Sequence, residues 1–188
     1  MDNRIPAPDP ADALALRPID WTLFDLATDA ARRSPRRRQV LRFHELAERL
    51  QRMVNAVEPD SYVQPHRHSD PPKVEVFVCV RGRAVIVRFD AAGTVVEQIT
   101  LAAGGPAHGV EISAGAWHTL FALDPGTVLF EVKEGPYTAA TDKEFAPWAP
   151  PEADGDAALA YLRALRERVG VPFEHAPLPA DEDEDDLC

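Results

Sequence analysis

From residue 62 to residue 133 the chain alternates short apolar runs with turn residues. Runs at 62–67, 74–80, 84–89, 95–101, 110–112, 117–123 and 127–133 have strand length and strand composition. S-D-P-P-K at 69–73, Arg81-Gly82, Asp90-Ala91-Ala92-Gly93, Gly104-Gly105-Pro106, Ser113-Ala114-Gly115 and Asp124-Pro125-Gly126 separate them. Strands this short at such regular spacing predict a β-sandwich or barrel, with a jelly roll as the natural choice. Residues 74–80 are apolar at both parities, which predicts burial on both faces.

Helical periodicity flanks the strands. At 20–33, Trp21, Phe24, Leu26 and Ala30 make a rough apolar stripe that Ser34-Pro35 ends. At 153–169, Ala157, Leu159, Leu162, Leu165 and Val169 make another, stopped by Gly170. Residues 38–45 read as a short strand or extended arm, and 48–57 as either helix or strand. The expected organisation is a loose segment at 1–18, a helical arm at 19–57, a β-barrel with its closing segment at 58–150, a helix at 151–172 and an acidic, disordered tail at 173–188.

Composition narrows the setting. With 188 residues, 45% of them hydrophobic, one domain can bury a full core. No apolar run reaches about 18 residues, so no membrane partner is expected. The opening M-D-N-R-I-P-A-P-D-P lacks the apolar core of a secretion signal. Two cysteines, Cys79 in an apolar run and Cys188 at the end, make no disulfide framework and fit the cytoplasm. The net charge is −11, of which D-E-D-E-D-D at 181–186 supplies six. That balance argues against nucleic acid as a partner. The basic run from Arg32 to Arg38 is local, and reads either as a phosphate grip or as a solvated helix end.

Chemistry concentrates in two places. His66 and His68 stand two apart in a strand-like run, so both imidazoles point to one face. Glu75 lies between Val74 and Val76, where an unpaired carboxylate would be costly to bury. A turn on Gly115 then leads into a strand that begins near His118, which can complete a site of three His and one Glu. Such a set suits a divalent ion such as Fe, Mn, Zn or Ni, or Cu. Glu131, within V-L-F-E-V-K, is either a general acid/base near the metal or half of an ion pair with Lys133. Tyr62 and Gln64 share parity with the histidines, which points them at the same cavity. Arg38 approaches from the N-terminal arm.

The string P-H-R-H, six residues, Glu75, six residues, Gly82 resembles the first motif of the cupin superfamily, and S-A-G-A-W-H resembles the second. That resemblance implies a single cupin-like jelly-roll β-barrel, mainly β, with His66, His68, Glu75 and His118 as metal ligands. The loop from His68 to Glu75 is longer than usual, Ser113 stands where Pro is common, and no Asn follows His118. Across about residues 34–150, S-P-R-R-R, W-H-T-L-F-A-L-D-P-G-T-V, F-E-V-K-E-G-P-Y and T-D-K-E-F-A-P-W-A-P resemble the WbuC family of cupin-fold metalloproteins. Members of that family occur beside genes for O-antigen and other surface polysaccharides. Lys133, Tyr137 and Lys143 lie in these strings and either line the barrel mouth or pin the closing segment.

The expectation is a metal-dependent enzyme, isomerase, epimerase or dioxygenase-like, acting on a sugar or nucleotide-sugar. Glu131, Tyr137 and Lys143 would move protons, and Tyr62, Gln64, Lys133 and Arg38 would hold substrate. The alternative is a sugar-binding or regulatory cupin whose metal is structural. A homodimer is expected in either case.

Overall fold

The computed structural model describes residues 4–5 and 16–173. The acidic run at 181–186 and most of the loose N-terminal segment lie outside the described residues.

Helix α1 (Trp21–Arg33) begins at Asp20, whose side chain accepts from the Leu23 N–H at 3.1 Å. Its buried stripe is Phe24, Ala27, Thr28 and Ala31. Trp21 and Leu26, expected on that stripe, face solvent at 65% and 59% exposure. The spacing 24, 27, 28, 31 follows the 3.6-residue period closely, and Leu26 falls off it. Then come β1 (Arg38–Arg42), β2 (Leu50–Val57), β3 (His66–Arg67), β4 (Glu75–Arg81), β5 (Arg83–Phe89) and β6 (Val95–Ala102). β7 (Gly109–Ile112), β8 (Trp117–Ala122), β9 (Thr127–Glu134), β10 (Glu144–Phe145) and helix α2 (Gly155–Arg168) complete the order.

The strands form two five-stranded antiparallel sheets, β1-β2-β9-β4-β7 and β10-β3-β8-β5-β6. They face each other as a jelly-roll sandwich. Side chains alternate between faces as strand geometry demands. Phe77, Cys79 and Leu129 from the first sheet meet Ile86, Leu101 and Leu120 from the second in the inner core. The opposite parity of the first sheet, Val54, Ala56 and Val128, packs under α1. The opposite parity of the second, Val85, Val87, Phe89, Trp117 and Phe121, packs with Leu162 and Leu165 of α2. Two helices thus cover the two outer faces.

Three expectations change. Residues 38–57, grouped with the helical arm although 38–45 read as a strand or extended arm and 48–57 as helix or strand, supply β1 and β2, and β2 pairs along its whole length with β9. The sandwich therefore starts near residue 38. The strand expected at 62–67 shrinks to His66–Arg67, since Pro65 has no N–H and the Thr119 hydroxyl donates to the Val63 carbonyl. In β4 the inward parity is buried, but Val78 on the other face is 37% exposed, because α1 lies over β1, β2 and β9.

Candidate metal centre and cavity

β3, β4 and β8 bring four side chains together. His66 on β3 is in register with His118 on β8, within one sheet. Glu75 opens β4 on the facing sheet. His68 follows β3 and reaches the same point. One ligand atom from each of His66, His68, Glu75 and His118 lies within 4.8 Å of the others, and all four residues are buried. Gly115, at φ +76°, makes the tight turn that starts β8 with His118 facing inward.

The imidazoles are oriented alike. His66 Nδ1 lies 2.8 Å from the Gln64 carbonyl, His118 Nδ1 lies 2.9 Å from that of Ala116, and His68 Nδ1 bonds to that of Asp142. Each Nδ1–H donates to its carbonyl, so each Nε2 keeps a lone pair for the centre. His118 Nε2 then stands 2.7 Å, and His68 Nε2 3.4 Å, from the same Glu75 oxygen, Oε1. None of these three atoms has a hydrogen-bond partner. Lone pairs facing a carboxylate repel unless a cation lies among them. At His66, burial, then the neighbouring Lys143 and His118, push the pKa well below the usual histidine value. Burial alone would raise the Glu75 pKa; the closeness of His118 and His68 outweighs it and holds the carboxyl well below its usual range. A divalent ion satisfies all four donors at once, and the donor set fits one.

His66, Glu75 and His118 form part of the wall of a cavity of about 470 Å³. Of the residues singled out in the sequence, Glu131, Tyr137, Lys143, Gln64, Lys133 and Arg38 also line it. Tyr62 does not. Its ring packs edge-on to Tyr161 of α2 at 5.9 Å and its hydroxyl donates to the Pro150 carbonyl at 2.9 Å. The strand that would have carried its parity to the cavity is absent there.

Sequence reasoning missed several groups. Asn55 Nδ2 donates to Glu131 Oε2 at 2.8 Å. Burial, then the charge of Glu75, raises the Glu131 pKa against the pull of Lys133, Lys143 and Asn55. Buried Asp142 bonds both Lys73 Nζ and Lys133 Nζ at 2.8 Å, one on each carboxylate oxygen. Its backbone carbonyl is the one that orients His68. One residue, through its side chain and its backbone carbonyl, thereby ties the 135–145 segment to β9 and to the His/Glu cluster. The only signal in sequence was an aspartate inside T-D-K-E-F.

Four of the five arginines from Arg32 to Arg38 make internal ion pairs. Arg32 meets buried Glu58 at 3.3 Å, and Arg37 meets Asp60 at 3.0 Å. Arg36 holds Glu152 through two bonds of 2.6 and 2.8 Å, and Arg38 shares Oε2 of the same carboxylate at 2.6 Å. Burial would raise Glu152; hydrogen bonds from Arg36 and Arg38 outweigh it and lower its pKa. A carboxylate so depressed stabilises the fold above its unfolded pKa, and that stabilisation is lost as pH falls through the folded value. Thermal unfolding should therefore show Glu152→Gln less stable than the parent near neutrality. The gap should narrow below about pH 4; a constant gap would mean the pair contributes nothing through charge.

Among the described residues no helix is long and apolar enough to cross a membrane. A family model described as a domain of unknown function (DUF6016) matches residues 19–101, which include His66, His68 and Glu75 but stop short of His118. No curated protein matches the chain. The crystal structure of the capsular polysaccharide assembling protein CapF from Staphylococcus aureus is similar over 57% of this chain and 29% of that chain, at 21% identity and a TM-score of 0.50. CapF with the inhibitor 3-isopropenyl-tropolone is similar over 60% and 32%, at 21% identity and a TM-score of 0.51. The chain thus matches less than a third of CapF's own length. A cupin superfamily protein from Desulfitobacterium hafniense is similar over 52% of this chain and 76% of that chain, at 13% identity and a TM-score of 0.41. The likeness to CapF is one of fold, and this chain is a cupin-like jelly-roll sandwich with a His66, His68, Glu75 and His118 cluster between its sheets.

Proposed function

We propose that the protein is a metal-dependent enzyme of the WbuC type, acting on a sugar or nucleotide-sugar in surface-polysaccharide metabolism. One observation carries the reading: three of the four cluster residues border a cavity of about 470 Å³, a size that suits a small polar ligand. A purely structural metal would be expected in a closed site. CapF, whose name ties it to capsular polysaccharide assembly, shares the fold, and F-E-V-K-E-G-P-Y and T-D-K-E-F-A-P-W-A-P carry the WbuC resemblance. The cytoplasmic homodimer expected from the sequence stands with this reading.

His66, His68, Glu75 and His118 would hold the ion. A divalent ion in such a place supplies Lewis acidity to a bound oxygen or acidifies a water. Glu131, its pKa raised and one oxygen held by Asn55, can carry a proton to or from substrate. Tyr137 and Lys143 are further proton-moving groups on the wall, and Gln64, Lys133 and Arg38 orient substrate.

The test is to incubate metal-loaded protein with nucleotide-sugars and free sugars and follow conversion by NMR. Turnover is expected, with Glu131→Gln about 100-fold slower at unchanged metal content. Binding without turnover would favour the sugar-binding or regulatory alternative.

A further inference from the structure

Five Arg and Lys side chains and four carboxylates line the cavity. Most of these charges are already matched. Arg36 and Arg38 share Glu152, and Lys133 is bonded to Asp142. Arg42 is engaged as well. Glu75 belongs to the metal cluster. Lys143 differs. Among the described residues its ammonium has no hydrogen bond and no ion pair, while the adjoining Asp142 and Glu144 are bonded to Lys73 and Lys133, and to Arg67. Lys143 is exposed and is one of the residues that line the cavity. The charges it feels come from Lys133 and Arg38, which repel it, and from Glu75 and Glu131, which attract it. Once an ion takes up Glu75, that attraction weakens. An unpaired ammonium on the cavity wall is open to a charge-assisted bond with an incoming anion.

We propose that the substrate carries an oxyanion, a carboxylate or a phosphate, which Lys143 meets inside the cavity beside the metal cluster. The inference rests on the cavity being the substrate site. It gives Lys143 a binding task and narrows the sugar class to acidic or phosphorylated sugars. A neutral sugar offers hydroxyls to this wall but nothing that matches its charge. A charge-assisted bond is the stronger and more selective contact.

Calorimetric titration of metal-loaded protein with glucuronate, glucose 6-phosphate and glucose tests this. At least one of the two anions should bind about tenfold or more tightly than glucose. Which of them does so separates the carboxylate source from the phosphate source. Lys143→Met should bring that anion's affinity down to that of glucose, and Lys143→Arg should keep most of it. Circular dichroism and metal content establish that both variants fold. Equal affinity for glucose and both anions, no binding of either anion at millimolar concentration, or an unchanged anion affinity in Lys143→Met would each overturn the proposal. Protein that binds no metal would instead overturn the reading of the centre. Metal-loaded protein without anion preference overturns only this inference.

Discussion

Protein carrying His66→Ala together with His118→Ala is expected to retain almost no metal, where the parent purified without added metal should carry close to one ion per chain. The two residues are register partners on β3 and β8, so the double change removes one whole side of the cluster. His68 and Glu75 alone would then face the ion, too few donors to compete with water and buffer. Chelating the parent should also destabilise it. An ion present at about 1,000 times its dissociation constant stabilises by about 4 kcal/mol, or roughly 10 °C in melting temperature for a domain this size. The physical reason lies in the contact of Glu75 Oε1 with two imidazole nitrogens that have no other partner. Emptied of its ion, that arrangement must either protonate or spread apart. A parent that takes up no metal, or a double variant that holds a full complement, sinks the assignment.

Asp142→Ala should be the most destabilising single change away from the cluster itself. It strips two buried ammonium groups, Lys73 and Lys133, of their shared counter-ion. Lys73 keeps one bond, to the Pro136 carbonyl at 2.7 Å. Breaking a buried pair by removing one partner typically costs about 3–5 kcal/mol. Denaturant melts should show a loss of that order. Replacing all three charged residues by apolar ones of similar volume should recover much of it, since desolvation of the whole group is then avoided. Metal affinity offers a second readout. The Asp142 carbonyl receives the His68 Nδ1–H, so loosening the segment should weaken the ion's hold by about 10- to 100-fold. Undiminished affinity in Asp142→Ala would mean that the backbone holds its place without the lysine clamp.

The cluster was legible in sequence because each of its parts is a local rule. His66 and His68 are two apart, Glu75 is a carboxylate in an apolar run, and His118 follows a glycine turn that requires a positive φ. The strands from residue 74 to residue 134 were legible for the same reason, since one face is apolar and turns end them. β2 was not. Its inward face, Gln51, Met53 and Asn55, borders a polar cavity, and its outward face, Val54 and Ala56, lies under α1. Buried on both sides and polar on the inner one, it loses the alternation that identifies a strand. Long-range polar partners were equally silent. Nothing near Asp142 in the chain announces Lys73, 69 residues away, and nothing near Glu152 announces Arg38, 114 residues away.

The seating of β2 between β1 and β9 has a consequence for where this chain can be divided. A fragment that began at residue 58 would keep all four cluster residues and both cupin-like motifs. It would also leave β9, eight residues from Thr127 to Glu134, as a bare sheet edge. A long edge with unpaired N–H and C=O groups is a template for another chain. The fragment would also lose the cavity wall that carries Arg38 and Asn55. The indivisible unit is thus set by hydrogen-bonded edges rather than by motif boundaries, and it runs from the strand that begins at Arg38 to the carboxylate of Glu152 that grips it.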